Sequence, residues 1–144
     1  MYLDKLALFS NAQAVTATAA STDSMDFSQA RDVGTGEDLF IFINCTVAMT
    51  DAASDSTVTV TLETDDNSGF SSAAVTQTLG VFPALSAVGS IIYARIQPAA
   101  LNERYCQLRY TVANGNLTTG TFSAGIIHGI DRVVSYASGF SVIK

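Results

Sequence analysis

His128 is the only histidine in the 144 residues, and that scarcity limits the chemistry open to the chain. A metal centre on a β-scaffold needs several imidazoles or a carboxylate–histidine cluster, and one imidazole supplies neither. His128 falls in step with Phe122, Ala124 and Ile126 near a strand end, which predicts a partly buried ring with a backbone partner. A serine triad is equally unsupported, because there is one candidate base and no Gly-x-Ser-x-Gly elbow. Asp65, Asp66, Asn67 and Ser68 cluster oxygen ligands but lack the alternating spacing and closing glutamate of a calcium loop. An Asx-type turn accounts for them better. Glu63 and Glu103 are the remaining candidates for an acid/base pair, and nothing in the sequence brings them together. The expectation is a protein with no catalytic residues, no cofactor and no metal.

Residues suited to binding are more evident. Tyr93 and Arg95, together with Tyr105, Gln107 and Arg109, fall on the outward faces of two successive predicted strands. Tyrosine and arginine are enriched where proteins meet, since flat groups bury area at low entropic cost. The competing reading is an exposed sheet face with ordinary cross-strand pairs. Tyr136 and Phe140 lie on an apolar tail, residues 131–144, that either adds an edge strand at home or reaches a neighbour. The candidate protein interface is therefore Tyr93, Arg95, Tyr105, Arg109, Tyr136 and Phe140.

Charge excludes one class of partner. The net charge is −6 and the sequence pI about 4.4. Lys5 and Lys144 sit at the two ends, and the arginines are scattered. Direct nucleic-acid binding needs clustered cations to displace counterions, and no such cluster is present. No stretch approaches the roughly 18 apolar residues of a membrane span, and Asp4 and Lys5 interrupt any leader-like pattern. These features predict a protein assembled in a cytoplasm, where Cys45 and Cys106 would remain buried free thiols. Charged residues make up 14% of the chain, against roughly 25% in an average domain. A surface so poor in charge lacks a usual defence against association.

The elements that would position these residues are strands. Thr57, Thr59 and Thr61 alternate with Val58, Val60 and Leu62, placing hydroxyls on one face and hydrocarbon on the other. The turn at 65–69 stops that strand with a glycine able to accept positive φ, and Phe70 follows as an anchor. Residues 37–50 form the longest apolar strand, with Leu39, Ile41, Ile43, Cys45 and Val47 on one face. Phe40 and Phe42 on the other face imply cover on both sides of its first half. It is expected to pair with 56–63 as a hairpin. A first strand or extended arm is predicted at 14–22 and further strands at 25–27, 74–79, 90–97 and 104–113, with residues 30–36 as a loop. Pro83 restricts any strand continuing through Phe82 to an edge or an end. Asn114-Gly115 signals a hairpin returning through Phe122, Ala124 and Ile126. Six to eight short strands without a convincing helix predict an all-β jelly-roll sandwich, preferred to an immunoglobulin fold because the cysteine spacing and core tryptophan are missing. The predicted organisation is an N-terminal arm (1–13), the sandwich (14–130) and a C-terminal arm or edge strand (131–144).

Three segments together resemble a known family: YLDKLALFSNAQAVTATAASTDSMDFSQARDVGTGE, TLETDDNSGFSS and LRYTVANGNLTTGTFSAGI. They are similar to the capsid cement (decoration) proteins of short-tailed bacteriophages, over residues 2–127. The resemblance implies a jelly roll on the outer surface of an icosahedral head, bridging neighbouring capsomers of the major capsid protein and reinforcing the shell against packaged DNA. It implies self-association as a homodimer, with a trimer as the alternative arrangement. It carries no catalytic motif. The competing function is a receptor- or carbohydrate-binding head domain of a tail or fibre protein, for which Tyr93, Tyr105 and Tyr110 would be the sugar platform and against which the absence of tryptophan stands.

Overall fold

Alternation of apolar and polar side chains organises nearly every strand of the protein. A computed structural model of the chain describes residues 5–29 and 38–128. After a 3-10 turn at Lys5–Ala7 come β1 (Leu8–Ala14), β2 (Ala19–Ala20), β3 (Met25–Asp26), β4 (Leu39–Thr50), β5 (Thr57–Asp65), β6 (Ala74–Phe82), β7 (Ile91–Arg95), β8 (Tyr105–Ala113) and β9 (Thr119–His128). One sheet has the order β1-β9-β4-β7 and the other β2-β8-β5-β6, with β3 also on β8. All pairings are antiparallel. Counting β2 and β3 as one interrupted strand, this is the strand order of a jelly roll, as the patterning predicts.

The core lies between the sheets. Ile41, Ile43, Cys45 and Met49 of β4 meet Val58, Val60 and Leu62 of β5 and Cys106, Leu108 and Tyr110 of β8, all essentially inaccessible to solvent. Phe122 of β9 is the hinge of the aromatic packing, 5.0 Å from the Phe82 ring and 5.5 Å from that of Tyr110. Phe42, on the opposite face of β4, is buried as well, so the first half of that strand is covered on both sides as its alternation implies. Cys45 and Cys106 are both buried free thiols.

Two expected hairpins are not hairpins. β4 pairs with β7 and β9, whereas β5 pairs with β6 and β8. The connector at 51–56 therefore crosses between sheets. Asn114 and Gly115 do adopt positive φ (66° and 113°), but they too lead from one sheet to the other, from β8 to β9. Local turn chemistry specifies a chain reversal, and the need of both apolar faces to meet one core puts the two strands on opposite sides of it. The two crossings brace each other: Ser56 Oγ donates to Gly115 O at 3.1 Å and Asn114 Nδ2 donates to Asp55 O at 3.2 Å. The hairpin that does form joins β5 to β6 through 66–73.

Other boundaries shift for identifiable reasons. The sandwich begins at Leu8 rather than at residue 14, because β1 pairs with β9 from Leu8↔Gly125 onward. Gly125 permits the approach, since a Cβ there would lie 2.8 Å from Ala7 O. The predicted strand over 14–22 shrinks to Ala19–Ala20 because side chains take over its ladder: Val112 N donates to Thr18 Oγ1 and Leu108 N to Ser21 Oγ, each at 3.0 Å. Register shifts on either side of Val47 turn that residue outward, 46% exposed, instead of keeping it on the apolar face. His128 is exposed at the end of β9 rather than partly buried. In the 65–69 turn Phe70 takes the positive φ (50°), not Gly69, and Phe70 is half-buried outside the main core. The predicted loop at 30–36 and the tail at 131–144 lie outside the described residues.

Candidate functional site

The candidate interface residues do not form one surface. β7 and β8 belong to different sheets, so Tyr93 and Arg95 face out from one side of the sandwich while Tyr105 and Arg109 face out from the other. Tyr93 is 38% exposed and packs its ring 5.5 Å from that of Phe42. Arg95 forms a surface ion pair with Asp38. Tyr105 lies beneath the Arg104 guanidinium, 4.8 Å from its ring centre. Arg109 donates from Nε to Glu63 Oε1 at 2.7 Å. Tyr136 and Phe140 lie outside the described residues. Of the tyrosines expected as a sugar platform, Tyr110 is fully buried, its hydroxyl donating to Ser10 Oγ at 3.0 Å, and cannot meet a ligand.

Exposed apolar residues concentrate along the edge where β6 and β7 meet. Six of the eight large ones among the described residues belong to these strands or their connector, Val75 and Val81 on the second sheet's outer face, Ile91 and Tyr93 on β7 of the first sheet, and Leu85 and Val88 between them, against Leu6 and Val47 elsewhere. Exposed single apolar residues are ordinary, whereas a concentration of them marks an interaction surface. Periodicity reasoning marked Tyr93 but missed the rest, because Leu85 and Val88 sit in the connector between β6 and β7. The missing clue was that both flanking strands lie at sheet edges.

Edge strands expose unpaired backbone groups, and two glutamines close part of each edge. Gln77 of β6 donates from Nε2 to Arg95 O at 2.7 Å and accepts from Gln97 N at 2.9 Å. Gln13 of β1 donates to Ala20 O at 2.7 Å and accepts from Thr22 N at 2.9 Å. In both cases one side-chain amide spans the C=O of one residue and the N–H of the residue two further on, as a peptide group of an added strand would. Each joins the two sheets at one side of the sandwich. Ser10 Oγ donates to the same Gln13 oxygen at 2.7 Å, extending this bridge to Tyr110 in the opposite sheet.

The outer face of the second sheet contains buried polar groups. Glu63 and Gln107 are directly paired across β5 and β8 and are 4% and 6% exposed. Gln107, expected on an exposed face, instead donates from Nε2 to Glu63 Oε2 at 2.9 Å. Glu63 is thus held by Arg109 and Gln107, and no hydrogen bond or ion pair joins it to Glu103 among the described residues. The β5–β6 turn lies beside this group, folded back by Asp65, which accepts from Asn67 N at 2.9 Å and from Ser72 N at 2.8 Å. Those backbone donors, Asn67 first, hold the Asp65 carboxyl below its ordinary pKa. The carboxylate is therefore a turn-former, as the Asx reading expects. Residues 20–22 and Ser24, the turn at 68–70, and Gln107 and Arg109 together line an open cavity of about 340 Å³. Among the described residues, no group of three or more His, Cys, Asp or Glu is placed to hold a metal ion.

The family described as Bbp16 matches residues 9–126. The chain belongs to the Bbp16 family. No curated protein matches it. The matched span runs from β1 to β9 and takes in every strand of the sandwich. In this Bbp16 member the jelly roll is thus the family unit itself, and both the apolar edge and the polar cavity lie within it.

Proposed function

We propose that this Bbp16 protein is a structural virion component that docks on the outer surface of an icosahedral phage head and bridges neighbouring capsomers of the major capsid protein. The observation that carries this reading is the concentration of exposed apolar residues along one edge of the sandwich: Val75, Val81, Leu85, Val88, Ile91 and Tyr93, on two edge strands and the connector between them. The resemblance of its segments to capsid cement proteins supplies the identity of the partner. A rigid two-sheet scaffold with few charges can bury such a surface at low desolvation cost. Many copies, each adding a modest interface, raise the barrier to shell disruption through multivalency. Self-association as a homodimer, or as a trimer, would let one assembly span two capsomers. The function asks for no catalysis, no cofactor, no nucleic-acid contact and no membrane, and it places assembly in the host cytoplasm.

Copy number in purified virions tests the reading most directly. A number commensurate with the major capsid protein is expected, and a few copies at one vertex would assign the protein to the tail instead. The docking side is tested by Val81→Glu combined with Val88→Glu. The doubly substituted protein should fold normally and fail to sediment with heads lacking the native protein. Undiminished co-sedimentation would remove this side from consideration. Arg95→Glu reports whether docking extends over the face that carries Tyr93, and Arg109→Glu whether it extends over the face that carries Val81.

A further inference from the structure

The cavity on the second sheet's outer face uses none of the residues of the apolar edge. Gln107 and Arg109 line it, and Glu63 holds both of them from beside the cavity; Gln107 and Glu63 are more than nine-tenths buried although they point away from the core. The buried Glu63 carboxylate is paired at both oxygens, to Gln107 and Arg109, which offsets the cost of burying it. Among the described residues the Arg109 side chain is bonded through Nε alone and the Gln107 side chain through Nε2 alone. The guanidinium Nη donors and the Gln107 Oε1 acceptor remain for a ligand. Hydroxyls of Thr22, Ser24 and Ser68 line the walls, and Phe70 contributes an apolar ring.

We propose that this cavity binds a neutral saccharide, one pyranose unit of a surface glycan. Arg109 is the one charged residue of the lining, and its ion pair with Glu63 offsets that charge, so the cavity offers little net attraction to phosphate, carboxylate or ammonium. It does offer donors and acceptors side by side, which is what adjacent sugar hydroxyls need, while Phe70 suits the C–H face of the ring. The volume of about 340 Å³ lies at the lower end of the range for small-molecule sites. A cement protein on the outside of a head would in this way carry a weak glycan contact, multiplied by its copy number.

The test is a 1H–15N titration of the full chain with the methyl glycosides of glucose, galactose, mannose and N-acetylglucosamine. With at least one of them, saturable shifts are expected at the amides of Ser24, Gly69, Phe70 and Arg109, with millimolar affinity. Phe70→Ala and Ser24→Ala should each weaken that binding about tenfold, Ser24→Ala without moving the melting temperature. Ser24→Ala alters no core contact and keeps the test decisive if Phe70→Ala disturbs the turn. Absence of saturable shifts with all four glycosides would overturn the proposal. So would equal or stronger shifts from acetate or inorganic phosphate, which would mark an anion site, or shifts that survive both substitutions.

Discussion

Cys106 and Cys45 differ from surface thiols in a measurable way. Burial pushes the Cys106 thiol up to about 12 and raises that of Cys45 in the same direction. The thiolate is the reactive form, so both should resist alkylation in the folded protein at mildly alkaline pH. Labelling with iodoacetamide should be negligible under native conditions and reach two groups per chain in denaturant without reductant. Modification of either cysteine in the folded protein would contradict this packing. The edge glutamines are the other informative residues. Gln77→Ala removes both bonds that one amide makes to Arg95 O and Gln97 N, at a cost of about 1–2 kcal/mol. The midpoint of urea unfolding should fall accordingly. Gln77→Glu keeps the acceptor but loses the donor to Arg95 O, and should recover only part of the loss.

At the scale of elements, β3 is a two-residue strand tied to β8 at Met25↔Cys106 and Asp26↔Tyr105, and an ion pair anchors it. Arg104 Nε and Nη2 donate to the two Asp26 oxygens at 2.8 Å each. This bond to Arg104, helped by the Ser28 N–H, lowers the Asp26 pKa from 3.8 to about 2. A carboxyl with a depressed folded pKa contributes stability that is present above its unfolded value and is lost as pH falls through the folded one. The contribution of Asp26 is therefore complete above pH 3.8 and disappears on approaching pH 2. Asp26→Asn should flatten the melting temperature against pH in that window and lower it slightly at neutral pH, because the pair is solvent-exposed. A parallel fall with acid in both proteins would show that other carboxylates carry the acid sensitivity. Asp65, also lowered, is the leading alternative.

For the whole molecule, stability depends on whether the two sheets stay in contact. Phe122 is fully buried on β9 and packs against Phe82 and Tyr110, both from the opposite sheet. Phe122→Ala opens a cavity at this junction and should cost about 3–5 kcal/mol, a large part of the stability of a domain this size. Urea unfolding followed by tyrosine fluorescence and by circular dichroism should remain one coincident transition. Separate transitions would mean that the sheets unfold independently, contrary to a shared core.

The sequence by itself determined which residues point inward. Alternation in β4 and β5 identified Ile41, Ile43, Cys45, Val58, Val60 and Leu62 as inward-facing, and all are buried, with Val47 turned outward by its register shifts as the exception. Such alternation is a local property, set by the two-residue period of the strand and the cost of wetting hydrocarbon. Turn residues likewise showed where the chain reverses, at 65–69 and at Asn114-Gly115. Which strand each reversal leads to was decided only by the tertiary structure. A turn into a hairpin and a turn into the opposite sheet draw on the same residues, and the choice rests on contacts made by β9 and β8 far along the chain. That choice separated Tyr93 and Arg95 from Tyr105 and Arg109, gathered the exposed apolar residues along β6 and β7, and buried Glu63 and Gln107 on an outer face. Sites made by packing between distant segments leave no periodic trace in the chain.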